Sequence, residues 1–331
     1  MTPGLLDGVS SVVNIGVPTF TDSVLSSGAS VVDVEWRPPG GGEPRTAWVL
    51  ARLMGDPDDP ACPGSAIDRA NREAMAHLLD AQPTLADIRP AREVWPHLGK
   101  TILHAGPPIS WGQMCGPMQG AVVGAILYEG WAESEAVARQ LAASGGVQFE
   151  PCHHYGAVGP MAGVISPSMP LFIVRNPAKG NTAYSNLNEG LGKVLRFGAY
   201  GPEVVERLRW MERVLAPGLR RAVALVEGGI RLKPIMAQAL QMGDEVHNRN
   251  VAATSLLFRR LAAALVRSDV DRSAGAEILG FIDGNNHFFL NLSIAACKAG
   301  LDAAHGVGGS SLVTARARNG VEFGIRISGL G

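Results

Sequence analysis

The stretch SVVNIGVPTFTDSVLSSGASVVDVEWRPPGGG, residues 11–42, decides the reading of the fold. SVVNIG (11–16) is a short apolar run closed by Gly16, and SVVDVEW (30–36) is a second one. Between them TFTDSVLSSG (19–28) has helical spacing, with Phe20, Val24 and Leu25 on one side and Gly28 as the stop. A strand, a short helix and a strand in this order predict a parallel pair with a right-handed crossover, a Rossmann-like β-α-β unit. RPPGGG (37–42) follows the second strand, where open α/β sheets place ligands. Its glycines suit a phosphate nest. It lacks the G-x-G-x-x-G spacing, however, and no helix is expected directly after it, so the reading adopted is a flexible turn, with the nest as the alternative.

Outward from this unit, GDPDDPACPGS (55–65) punctuates the chain. The expected division is therefore an α/β unit at 1–58 and a larger, helix-rich α+β domain at 59–331 that carries the site. Residues 66–80 read as helix, and 86–97 as a polar connector broken by Pro90 and Pro96. ISWGQMCGPMQGAVVGAILYEGW (109–131) sets Gly116, Gly120 and Gly124 four apart on one helical face, a spacing for close packing. Its CGPMQGAVV is faintly echoed by VGPMAGVIS (158–166), too little for a repeat architecture. MPLFIVRN (169–176) reads as a buried strand and 203–226 as an amphipathic helix opened by Pro202. Residues 234–266 and 276–304 read as mostly helix. The tail SSLVTARARNGVEFGIRISG (310–329) alternates on both sides of Asn319-Gly320 and predicts a hairpin.

Composition narrows the class. With 331 residues, 46% hydrophobic and 18% charged, the chain is neither disordered, collagenous nor coiled-coil, and it can bury a core without disulfides or structural metal. Lysine and arginine number 29 against 30 acidic residues, so no basic excess exists to hold nucleic acid. Four cysteines without a C-x-x-C pair point to a reducing compartment, and MTPGLLDGVSS lacks the basic start of a secretory signal. Both observations predict a cytoplasmic protein. The longest charge-free stretches, 101–128 and 151–174, are broken by prolines and do not read as membrane spans. So apolar a chain, with little charge, predicts a homodimer; nothing in it calls for a cofactor.

Four polar clusters interrupt runs that otherwise look buried, and burying such groups is costly unless they are paired or used. In PCHHYGAVGPMAG (151–163), His153 and His154 are expected on opposite sides of an extended segment. One of them suits a general acid/base; a backbone-bonded structural histidine is the alternative. In NLNEGLGKVLRFG (186–198), Asn188, Glu189 and Lys193 bracket an expected helix start, either as a solvated face or as a holder for an anionic or amide-bearing ligand. QMGDEVHNRN (241–250) is expected on a helix, with Gln241, Asp244 and Asn248 on one face and His247 at its edge. Asp244 and His247 suit a carboxylate-oriented base or, without an H-E-x-x-H motif, a weak pair of metal ligands. Arg249 and Asn250 complete that polar run. The fourth cluster is the stripe His287, Asn291, Lys298 and His305 on an alanine-rich apolar background.

These blocks, together with HAGPPI (104–109), LNEGLGKVLRFGAYGPEV (187–204) and FFLNLSIAACKA (288–299), resemble the YlbE/AllG/YahG-like family over practically the whole chain. That resemblance implies a component of an oxamate carbamoyltransferase, which exchanges oxalurate and phosphate with oxamate and carbamoyl phosphate. It also implies a setting in purine and allantoin breakdown beside FdrA-like partner subunits. It transfers no catalytic residues, and the S-T-R-T phosphate motif of ordinary carbamoyltransferases is absent from the sequence. The residues themselves therefore carry the expectation of a small anionic substrate. Arg249, Lys193 and Lys298 would hold the anion; Asn188, Asn248, Asn250 and Asn291 would read amide groups; His153, His154 or His247 would move the proton. A metal-assisted amide hydrolase built on Asp244, His247 and one of His153, His154 or His287, and a non-catalytic subunit, are the two alternatives.

Overall fold

The computed structural model describes residues 11–56, 59–160, 162–319 and 322–330. The chain divides into two compact units at 69/70, within the helix Pro63–Asp80. The expected boundary at 58/59 touches residues 57–58, which lie outside the described ones, as do 1–10, the stretch expected to lack a secretory signal. Among the described residues no helix is long and apolar enough to cross a membrane.

The first unit is the expected β-α-β arrangement. Strands β1 (Ser11–Asn14) and β2 (Ser30–Asp33) pair in parallel from Ser11 opposite Ser30 to Asn14 opposite Asp33, joined by the helix Pro18–Ser26. Asn14 Nδ2 donates to Asp33 Oδ1 at 2.8 Å and to Thr21 Oγ1 at 2.9 Å, tying both strand ends to the one buried residue of the helix. One expectation is corrected here. A helix, Pro44–Met54, starts two residues after Gly42, and the Glu43 carboxylate already accepts from the backbone N–H groups of Arg45 and Thr46. Proline in the first turn and a capping acid are start signals. Glu43 thus caps the first donors of the helix that follows the glycines.

The second unit holds the remaining strands. They begin with β3 (Thr84–Pro90), β4 (Thr101–His104), β5 (Gln148–Pro151) and β6 (Val164–Ile165). Then come β7 (Pro170–Asn176), β8 (Asn181–Asn186) and β9 (Ile230–Arg231), and last β10 (Val313–Asn319) and β11 (Glu322–Ile327). An antiparallel sheet runs β8-β7-β3-β9, a small mixed sheet runs β5-β4-β6 with β4 and β5 parallel, and β10-β11 form the terminal hairpin. Gly320, in the expected turn, is outside the described residues. The expected connector at 86–97 is corrected: residues 86–90 belong to β3, and the short helix Ala91–Val94 follows at once. Leu85 and Ile88 face the core, Asp87 and Arg89 pair outside, and a bulge between Leu85 and Asp87 hides the two-residue period. Pro90 sits at the strand end, where no ladder donor is needed.

The two stretches read as mostly helix are each divided into two helices. Residues 232–267 form Leu232–Gln241 and Val251–Arg267, and 272–303 form Arg272–Asp283 and Leu290–Ala303. The helix opened by Pro202 does run through to Ala224, but as Pro202–Trp210 and Ala216–Ala224 around a π-helical turn, Met211–Leu215. Leu290–Ala303 packs on β7 and β8, and Ala216–Ala224 on β3. Phe172 and Phe288 meet edge to face at 5.8 Å in the core they enclose, with Phe281 6.2 Å from Phe288. Gly116–Tyr128 is buried almost all round, which explains its lack of charge.

Candidate functional site

Parallel strands β4 and β5 end together, His104 opposite Pro151, and the chain turns at once into the 3-10 turn Cys152–Tyr155. Gly156 ends that turn with φ 65°, a conformation that favours glycine. Successive side chains in a 3-10 turn are rotated by about 120°, so His153 and His154 do not point to opposite sides as expected. Their rings touch edge to face, with centroids 4.7 Å apart. His153 is half-buried and lines a cavity of about 510 Å3; His154 is exposed and does not line it.

The opposite walls come from the helix Leu290–Ala303 and the terminal hairpin. The helix offers Ile294, Cys297, Lys298 and Leu301 at one-face spacing. Lys298 is 9% exposed, and its Nζ lies 2.9 Å from Asp302 Oδ2, one turn further on. From β11 the Arg326 guanidinium pairs with the other oxygen of Asp302 and steadies itself on Thr314 Oγ1 at 3.2 Å. Arg316 of β10 adds a third cation to the lining. The carboxylate in contact with Lys298 and Arg326 is Asp302, so the cavity is electropositive.

The imidazoles of His153 and His305 lie near this cation pair. Burial first, then the nearby His154, Lys298 and Arg326, hold His153 down at about 4. Behind it His104, 0% exposed, is held at about 4 by burial and by its neighbours His153 and His154, and neither ring nitrogen has a hydrogen-bond partner among the described residues. His305 is likewise lowered by burial and then by Arg326. All three are neutral near pH 7. Burial pushes the Cys152 thiol up to about 12, so this cavity-lining cysteine is no thiolate nucleophile at neutral pH.

The other expected site residues divide into two places away from this cavity. Asn291, on the same helix as Lys298, belongs to a closed network. It accepts from Asn188 Nδ2 at 2.9 Å and donates to the carbonyl and side-chain oxygens of Asn186 at 2.8 and 2.9 Å. Asn188 Oδ1 in turn accepts from Gly190 N. Glu189 takes the Leu195 N–H at 2.6 Å; burial raises its carboxyl while backbone donors and Arg196 oppose the rise. These groups hold an irregular segment, not the expected helix start, against the core, and Lys193 points to solvent at 82% side-chain exposure. His287 precedes the helix, half-buried and lowered by burial.

Residues 243–250 are a tight loop, not a helix. Gly243 has φ 90° and Val246 φ 57°. Asp244 Oδ2 accepts from Ala253 N at 2.8 Å and so secures the start of Val251–Arg267. Asn250 Nδ2 donates to the His247 carbonyl, and the Glu245 carboxylate accepts from Arg249 N. Short Asp and Asn side chains bond their own backbone in preference to continuing a helix. His247, Asn248 and Arg249 are exposed, and none of the expected site residues in this loop lines the cavity. The metal alternative has lost its ligand set. Among the described residues no group of three or more His, Cys, Asp or Glu is arranged to hold a metal ion. Reading the sequence missed Asp302, Arg326, Arg316 and His104. The first had a signal, a lysine-to-aspartate spacing of four on a helix.

A family model described as "Oxamate carbamoyltransferase subunit AllG" matches residues 147–331, which include His153, Lys298, Asp302 and Arg326. The chain is 50% identical over 269 residues to the oxamate carbamoyltransferase subunit AllG of Escherichia coli (strain K12), covering 81% of this chain and 64% of that protein. It is 42% identical over 331 residues to the uncharacterized protein YahG of the same strain, covering 100% of this chain and 69% of YahG. A crystal structure of a conserved protein of unknown function from Enterococcus faecalis V583 superposes with a TM-score of 0.79 at 47% identity, over 81% of this chain and 64% of that one. The chain thus spans about two thirds of the length of these relatives.

Proposed function

The chain belongs to the AllG family, and on that premise we propose that it is a carbamoyltransferase component whose electropositive cavity holds a small carboxylate- or phosphate-bearing anion. The observation that carries this reading is the pairing of Lys298 and Arg326 on one carboxylate, Asp302, beside the neutral imidazole of His153. Two cations on one carboxylate leave positive charge over, and a cleft focuses it.

Carbamoyl transfer uses such groups. In phosphorolysis of oxalurate a phosphate oxygen bonds to the carbamoyl carbon, the carbon–nitrogen bond breaks, and the departing nitrogen takes up a proton. Oxamate and carbamoyl phosphate are the products, and the reverse reaction retraces the path. Lys298 and Arg326 would hold the anionic oxygens, and His153 would exchange the proton. An anion beside His153 favours its imidazolium form and raises its pKa back toward neutrality, so binding itself would supply the proton that the departing nitrogen takes up. Oxamate and oxalurate as the substrates, a place in purine or allantoin breakdown, FdrA-like partners, a homodimer and a cytoplasmic location belong to the same proposal; they rest on the family resemblance and on composition.

Calorimetric titration with carbamoyl phosphate, oxamate and oxalurate tests it. Lys298→Met removes one charge-assisted bond of about 1.5–3 kcal/mol and should weaken binding roughly ten- to a hundredfold. Unchanged affinity in that variant would overturn the cavity as the site.

A further inference from the structure

A second concavity, of about 610 Å3, lies between the end of β3, the residues just before β7 and the wall of the π-helical turn. Five arginines line it: Arg89, Arg92, Arg213, Arg220 and Arg221. Against them stand Glu93 and Glu212 in the lining, with Asp87 behind and Asp269 Oδ1 3.7 Å from Arg221 Nε at the edge. Asp87 serves two guanidiniums at once, Arg89 Nε at 2.6 Å and Arg220 Nε at 3.3 Å. Arg213 has no acidic partner among the described residues. Within the lining itself five arginines face two glutamates, and Arg213 is left without an acid, so positive charge converges on the hollow.

The hollow is also built. The Arg92 guanidinium bonds the Ser168 hydroxyl and lies 3.3 Å from Glu212 Oε1. Ser168 passes the link on to Glu129, which takes its hydroxyl at 2.8 Å and its backbone N–H at 2.7 Å. Glu212 is fixed from the other side by the Tyr128 hydroxyl at 2.8 Å. Independently, Met211–Leu215 is π-helical. One extra residue in a turn rotates the helix beyond it by about 100°, at the expense of hydrogen-bond geometry, and such turns gather at functional sites. The turn contributes Glu212 and Arg213 to the wall, and the rotated helix contributes Arg220 and Arg221.

We propose that this groove is a second anion-binding site, for a small acyclic polyanion with at least two negative charges, separate from the Lys298 cavity and independent of what that cavity does. Guanidiniums grip phosphate and carboxylate oxygens in pairs, whereas a lysine offers a point charge; no lysine lines the groove. No aromatic ring lines it either, so nothing there stacks a nucleobase.

Inorganic pyrophosphate titrated into the full chain, at low and at physiological salt, is the test. Pyrophosphate should bind, and Arg213→Ala and Arg221→Ala, both exposed side chains, should each weaken it roughly tenfold. Glu212→Gln keeps the bond to Tyr128 while removing a negative charge, and should tighten binding, an effect that damage to the fold does not produce. In the Lys298→Met background, where the other anion cavity is weakened, pyrophosphate should still bind, and Arg213→Ala should still weaken it. Absence of binding, equal affinity in Arg213→Ala, weaker or unchanged binding in Glu212→Gln, or loss of binding in Lys298→Met each overturns the proposal.

Discussion

His104 ends β4 fully enclosed, with both ring nitrogens unpartnered among the described residues. An imidazole in that position is tolerated only while neutral. Its pKa is about 4 in the folded chain against an ordinary value near 6.5. Between those values the unfolded chain binds a proton that the folded chain refuses. Stability that is complete above about pH 6.5 is therefore lost as the pH falls toward 4, with no further loss below it. The two and a half units correspond to a loss on the order of 3 kcal/mol. His104→Leu should keep or raise stability at pH 7, because unpaired polar atoms are replaced by carbon, and should flatten the acid limb. Urea midpoints at pH 7 and pH 4.5 for both proteins decide it; parallel pH slopes would show that another group carries the effect. Nothing in TILH revealed this residue, because whether a strand-end histidine is enclosed depends on residues far along the chain.

At the scale of the element, the three glycines of Gly116–Tyr128 do different things. A Cβ on Gly120 would land on the Gly198 carbonyl oxygen, a backbone atom that no rotamer change removes. One on Gly124 would strike Leu195 Cδ1, the end of a flexible side chain, and Gly116 has nothing within 4 Å. Gly120→Ala should destabilise by about 1–3 kcal/mol, Gly124→Ala by less and Gly116→Ala hardly at all. Denaturant unfolding of the three variants checks the order, and equal effects would refute the packing account. The four-residue spacing was legible; which glycine is essential was not. Other elements show the same limit. The run Pro170–Asn176 and the terminal hairpin stand out in the sequence because each carries its own pattern. β3 was hidden by a bulge, and 243–250 by polar side chains that look helical in spacing but satisfy a loop.

For the whole molecule, a ligand that occupies the Lys298 cavity should stabilise the chain even without partner subunits. At a hundredfold its dissociation constant the gain is about 2.7 kcal/mol, readable as a raised melting temperature. Carbamoyl phosphate, oxamate and oxalurate are the ligands to try. We expect binding by the chain alone; no shift with any of the three would count against the cavity. By itself the sequence determined what is local or written in long motifs: the parallel β-α-β start, the hairpin, the apolar helix, the family. Only the tertiary structure decided which polar groups meet. Asn291 and Lys298 lie on one face of one helix, yet seven residues span about 10 Å. That distance puts Asn291 in the closed asparagine network and Lys298 against the hairpin that supplies Arg326. Periodicity gives the face of a helix; what stands opposite each turn is set by chain folded back from elsewhere.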